Sequence, residues 1–219
     1  MKFFQTSFVL LLLMGILSTS VLAHEIVGQV TPLMIHMRRA LLLIENKKGP
    51  EGVDEIHRIY EDFSHDMGMG MTMEGVGLKI TARQIDRKFG TQLEVFLSEA
   101  MDKKDSLRLQ KGVQSLALLL MLEKFDALQG TFAHPPINMD VQKTIFWLGR
   151  NYFSYLLEPT LAQRDPVEAK RLDRLLDRML YRLEDNQPRA LILLKKEVEQ
   201  GIIAALHLSM QASGGLEKE

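Results

Sequence analysis

The chain has 219 residues, of which 46% are hydrophobic, 25% are charged and 7% are aromatic, with a formal net charge of −1 and no cysteine. This length and apolar content suffice for one well-formed core or two small ones. Without cysteine, the chain cannot build disulfides, thiolate zinc sites, iron–sulfur clusters, thioether-attached haem, blue-copper centres or a thiol nucleophile. A net charge near zero argues against nucleic-acid binding, which needs a basic surface.

The first segment, residues 1–23, has the pattern of a secretory signal peptide. Lys2 supplies a positive charge, residues 8–17 are an unbroken apolar run, and Val21 and Ala23 occupy the −3 and −1 positions of a cleavage site. The run is about half of the roughly 20 residues that span a bilayer, which favours cleavage over an uncleaved anchor. Cleavage after Ala23, or alternatively after Ser20, predicts a periplasmic or secreted protein with no stable membrane span.

The remaining residues, 24–219, predict a single all-α domain, a bundle of about seven helices, because strand-like alternation of β-branched residues is hard to find. Caps and breakers place the helices near residues 32–46, 53–67, 81–103, 106–129, 139–158, 166–183 and 187–211. The fourth should be the most buried, because residues 116–122 are apolar on every side. The sixth has the clearest start, with Asp165 as N-cap and Glu168 completing a capping box.

The sharpest chemical feature is a Gly/Met-rich loop predicted at 67–77, after the second helix. Four of the 13 methionines fall within seven residues of it, at Met67, Met69, Met71 and Met73. Thioethers are soft ligands, and methionines at every second residue of a flexible backbone can converge on Cu(I). The segment therefore indicates a site for a soft metal ion.

The second predicted helix could add harder ligands to this loop. His57, Glu61 and His65 step by four residues and so line one stripe of that helix, where they offer nitrogen and oxygen to Cu(II), zinc or iron. At about 100° per residue, Glu61 lies roughly 140° from the apolar Ile56. The stripe therefore faces solvent, which disfavours a buried dimetal site and leaves an exposed one. The alternative is a solvated face beside methionines that only fill gaps.

The cleavage site adds one more candidate ligand. If the cut follows Ala23, the mature chain begins with His24, whose amine and ring nitrogen could chelate copper, with His36 or His65 completing the site. His36 is otherwise expected to be a half-buried histidine satisfied by a neighbouring group.

Four arginines form a stripe on the sixth predicted helix, interleaved with acids and opposite Leu176. We predict a solvated, salt-bridged face, with an anionic partner or a membrane surface as the alternative. The four are Arg171, Arg174, Arg178 and Arg182.

Sequence signatures of catalysis are missing: there is no Gly-x-Ser-x-Gly elbow, no phosphate-binding glycine loop and no His-Glu-x-x-His pair. A nucleotide cofactor is therefore not expected, and haem is not favoured because no spacing selects an axial pair. We predict an exported, non-enzymatic helical protein that binds a soft or borderline metal ion, copper first. The alternatives are a metal-free helical module that docks an envelope protein or a second copy of itself and, more weakly, a haem or metal redox enzyme.

Overall fold

A computed structural model describes residues 30–68, 71–133 and 138–208, although not the side chains of 66–68 and 71–73. The predicted signal peptide and His24 lie outside the described residues. The all-α prediction is confirmed by helices α1 (Pro32–Glu45), α2 (Gly49–Arg58), α3 (Leu78–Phe89), α4 (Leu93–Asp102), α5 (Ser106–Thr131), α6 (Met139–Tyr152), α7 (Glu158–Arg164), α8 (Pro166–Glu184) and α9 (Pro188–Leu206). A π-helical turn, Phe153–Leu157, joins α6 to α7, and strands β1 (Phe63–Gly68) and β2 (Met71–Gly75) follow α2.

Helix α5 is the centre of the fold, as its sequence predicts. Residues 116–122 are all buried, and α5 contacts α1, α2, α3, α4, α6 and α9. A helix that is apolar on every side can bury all of its surface only when other helices surround it. The ring of Phe125 stacks on Phe146 with centroids 5.8 Å apart. Gly149 makes room for this stack, because a methyl group there would lie 2.6 Å from Cε1 of Phe125.

Two predicted helix starts are confirmed by their caps. The Thr31 hydroxyl accepts a hydrogen bond from the backbone N–H of Met34, and the Asp165 carboxylate accepts from those of Val167 and Glu168. The reciprocal half of the predicted capping box is not formed. The Glu168 side chain instead pairs with Arg171 at 2.7 Å, and the backbone N–H of Asp165 donates within the preceding helix.

The predicted helix at 81–103 is two helices. Gly90 adopts the left-handed conformation, with φ of 68°, and ends α3. The carboxylate of Asp86 then accepts from the backbone N–H groups of Leu93 and Glu94, which opens α4. The stop predicted before Pro159 is also wrong. The helical run continues through the π turn, where the N–H of Glu158 donates to the carbonyl of Phe153, and Pro159 lies in the first turn of α7 that follows.

The prediction of a helix to Met67 and a loop to 77 is also wrong, because α2 ends at Arg58 and a β-hairpin follows. The backbone N–H groups of Leu78 and Lys79 donate to the carbonyls of Ile59 and Tyr60, at 2.8 and 2.9 Å. These two carbonyls would have to accept from residues 63 and 64 if α2 continued, so the chain after the hairpin occupies them instead. Gly77 allows this return, because a methyl group there would lie 2.1 Å from the carbonyl oxygen of Glu61.

Candidate metal centre

The hairpin fixes the position of His65 and of the methionine-rich backbone. Its antiparallel register pairs Phe63 with Gly75 and His65 with Met73. The ladder is irregular between Asp66 and Gly68, which is a β-bulge at Met67. The ring of Phe63 covers its partner glycine, since a methyl group on Gly75 would lie 2.5 Å from Cζ of that ring.

Three polar side chains from α1, α2 and β1 meet in one chain of hydrogen bonds, which we call the His–Glu–His relay: His36, Glu55 and His65. Nδ1 of His36 lies 2.6 Å from Oε1 of Glu55. On the other side of the same ring, Nε2 of His36 lies 3.0 Å from Nδ1 of His65. The relay therefore ties the hairpin to the first two helices through His36.

The carboxylate places a proton on Nδ1 of His36. A carboxylate only accepts, so Nδ1 of His36 carries the proton that it donates to Glu55. In the neutral ring, Nε2 of His36 is then an acceptor, and Nδ1 of His65 donates to it. Glu55 thus aims a lone pair of His36 at His65, which is how carboxylates orient histidines that bind metals.

The surroundings of the relay differ at its two ends. Glu55 is 2% exposed, and its second oxygen faces two arginines, Arg58 at 3.4 Å and Arg39 at 3.7 Å. His36 is half-buried and meets the rings of Phe63 and His65 edge-on, with centroids 5.4 and 5.1 Å away. The prediction of a half-buried His36 satisfied by a neighbouring group is confirmed, and the group is a buried carboxylate.

The structure separates the residues of the predicted helical stripe. His57 is exposed near the end of α2, while Glu61 lies beyond the helix, exposed and paired with the Lys79 amine at 2.6 Å. His65 lies on β1 and meets His36 instead.

The four methionines of the predicted site lie on or between the two strands. The backbones of Met67, Met71 and Met73 are in β1 and β2, and Met69 lies outside the described residues. Within the part of the chain that the structure describes, no group of three or more His, Cys, Asp or Glu side chains could hold a metal ion.

Sequence reasoning missed Glu55, although a weak signal exists. It precedes the apolar Ile56 by one residue and Ile59 by four, so it borders the buried side of α2. A carboxylate in that position needs a partner, and helix periodicity cannot say that His36, 19 residues earlier, supplies it.

Comparison with known proteins gives no relative: no family model matches the chain, and neither do curated proteins or solved structures. None of the described helices is long and apolar enough to cross a membrane.

Proposed function

We propose that the chain is an exported protein that binds a soft or borderline metal ion, copper first, between His36 and His65 with thioether sulfur from the hairpin. The observation that carries the proposal is the 3.0 Å separation of Nε2 of His36 and Nδ1 of His65, with Glu55 held against the far side of the His36 ring. Export rests on the signal-peptide pattern of residues 1–23.

The geometry of the two nitrogens suits a shared ion. Imidazole nitrogens bind borderline metals at about 2.0 Å, so nitrogens 3.0 Å apart can both reach one ion at an angle of roughly 95°. The same distance serves an N–H···N hydrogen bond in the metal-free protein. Binding then needs a proton shift from Nδ1 to Nε2 of His65 and a rotation that turns both lone pairs from each other onto the ion, while Glu55 accepts from Nδ1 of His36.

The hairpin register singles out one methionine. The backbone of Met73 pairs with that of His65 across the two strands. Two imidazoles and one or more thioethers form a soft to borderline set that favours Cu(I). The proposed ligand set omits Glu61, which is engaged by Lys79, and the exposed His57.

The test is a competition titration of the full chain with Cu(I) against a coloured Cu(I) chelator under reducing conditions. We expect His65→Gln to lower the affinity by more than the 10- to 100-fold, roughly, that follows loss of a second-shell partner. Leucine at all four hairpin methionines should have a comparable effect. His57→Gln is the matched control, because it removes an exposed imidazole from the neighbouring helix and should leave the affinity unchanged.

Two outcomes would overturn the proposal. One is a wild-type chain that does not compete for Cu(I), Cu(II) or Zn(II). The other is equal affinity in wild type, His65→Gln and the methionine variant, with circular dichroism showing that all three are folded.

A further inference from the structure

The outward side of the α8–α9 pair carries a row of cations on each helix, and we call this surface the α8–α9 face. At 3.6 residues per turn, its α8 members lie opposite the buried Leu172 and Leu176, and its α9 members lie opposite Leu194 and Val198, on an arc of about 100° in each helix. The cations of the face are Lys170, Arg174, Arg178, Arg189 and Lys196, all of them exposed.

Contacts between the helices place the two rows on the same side of the pair. Arg171 of α8 reaches Glu197 of α9 at 2.8 Å. Further along, a methyl group on Gly201 would lie 2.7 Å from Cδ2 of Leu172. Both helices therefore turn one side to each other and one to the core, and the remaining sides form a continuous surface.

The cations of the face are available to a partner. None of the five has a carboxylate oxygen of a described residue within 4.0 Å. The other two arginines of the predicted stripe behave differently, because Arg171 pairs with Glu168 and Glu197, and Arg182 pairs with Asp185. The acids Asp173 and Asp177 pair with Arg150 of α6, and Glu199 of α9 lies at the edge of the face.

Large apolar side chains stand among these cations. Val167 is 74% exposed, Leu193 70%, Tyr181 65% and Ile192 47%. Isolated apolar residues are ordinary on protein surfaces, but four that share a face with five cations form a cationic, amphipathic surface.

We infer that the α8–α9 face docks on an anionic lipid surface. Charge complementarity selects an anionic partner, since the face is basic in a chain whose net charge is −1. Two antiparallel helices of 19 residues, each about 28 Å long, can lie together in the membrane plane. Their apolar side chains would then enter the acyl boundary while lysine and arginine reach the headgroups.

The mixing of cationic and apolar side chains on this face favours a lipid partner over an acidic protein. Protein interfaces concentrate apolar anchors at a centre from which charges are depleted. Here the two types are interspersed, because Arg174 and Arg178 lie between Val167 and Tyr181 on α8. On α9, Ile192 and Leu193 lie between Arg189 and Lys196.

The experiment is co-sedimentation of the full, metal-free chain with vesicles of equal parts phosphatidylglycerol and phosphatidylcholine, or of phosphatidylcholine alone. Wild type should bind only the anionic vesicles and dissociate as salt is raised. Arg174→Glu with Arg178→Glu should lower partition by about 25-fold or more, because each cation near such a surface contributes about fivefold. Arg87→Glu with Lys111→Glu is the matched control, since it makes the same charge change at exposed positions of α3 and α5.

A second pair of variants tests the apolar part of the face and does not depend on the charge variants folding. Val167→Ser with Leu193→Ser should weaken vesicle binding, while Val95→Ser with Leu107→Ser, exposed residues elsewhere, should not. Absence of binding to anionic vesicles, equal loss in face and control variants, or binding to poly-glutamate without binding to vesicles would each overturn the inference.

Discussion

Around α5, the interior is built mainly of leucine and phenylalanine side chains in contact, whereas the junction of α1, α2 and β1 holds a buried carboxylate and an imidazole joined by short hydrogen bonds. Packing in the first region tolerates a substitution of similar volume and polarity. The hydrogen bonds of the second region require particular atoms in particular tautomers. The comparison indicates that α5 holds the fold together, and that the relay positions the hairpin and its candidate ligands.

The largest effect is expected in the α5 core. Phe125→Ala removes a ring that is fully buried and stacked on Phe146, so the free energy of unfolding should fall by about 3–5 kcal/mol. Urea denaturation followed by circular dichroism measures this. At temperatures where the variant remains folded, its Cu(I) affinity should match that of wild type. A large loss of affinity in the folded variant would show that the α5 core and the candidate site are not independent.

The next effect belongs to the relay. Glu55→Gln keeps the size of the side chain but removes the charge that His36, Arg39 and Arg58 face, so stability should fall by about 1.5–3 kcal/mol. It should also weaken Cu(I) binding roughly 10- to 100-fold through His36. Exposed Glu51→Gln on the same helix is the control for both readouts. A variant with unchanged stability and affinity would show that the relay orients nothing.

Alanine substitutions at two glycines, one beside the hairpin and one in α5, should have opposite effects on stability. Gly77→Ala places a methyl group 2.1 Å from the carbonyl oxygen of Glu61, so the backbone must move, at a cost of about 1–3 kcal/mol. Gly130→Ala, near the end of α5, meets no atom of another described element within 4 Å and should stabilise its helix by about 0.5–1 kcal/mol. Thermal unfolding of both variants measures the contrast. Equal effects would mean that the close approach at Gly77 is not maintained in solution.

The smallest effect concerns the carboxyl group of Glu158, which lacks, among the described residues, the close histidine and arginine partners of Glu55. Burial raises the pKa of Glu158 above its usual range, Asp173 raises it further, and Arg150 lowers it. The folded protein therefore holds this proton more tightly than the unfolded chain, so the group favours folding at low pH and its contribution is lost as pH rises from about 4.5 through the raised pKa.

Glu158→Gln removes this dependence. Its unfolding free energy relative to wild type should grow with increasing pH above about 4.5 and then level off, as measured by urea denaturation across that range. A difference that shrinks over the same range would reverse the assigned direction of the pKa shift.

Elements governed by local chemistry could be predicted from the sequence. The caps at Thr31 and Asp165 and the burial of α5 depend on neighbouring residues and on residue type alone. The hairpin could not be predicted, because its strands lack the usual β-branched alternation. They are fixed by hydrogen bonds from Leu78 and Lys79 to Ile59 and Tyr60, just past α2, contacts that only the folded chain contains.

The candidate site could be predicted only in part. His65 and the methionines were identified by residue type, and the ring of His65 does lie beside that of His36. The roles of Glu55 and His36 depend on pairing between two helices, which a helical wheel drawn for one of them does not show. His57 and Glu61 shared a stripe only on a helix that in fact ends at Arg58.

X-ray absorption spectroscopy of the Cu(I)-loaded full chain tests the proposed site most directly. The account predicts a first shell that mixes sulfur with imidazole nitrogen, and His65→Gln should remove about half of the imidazole scattering while sulfur remains. A shell of sulfur alone that is identical in wild type and His65→Gln would contradict the site, as would a shell without sulfur.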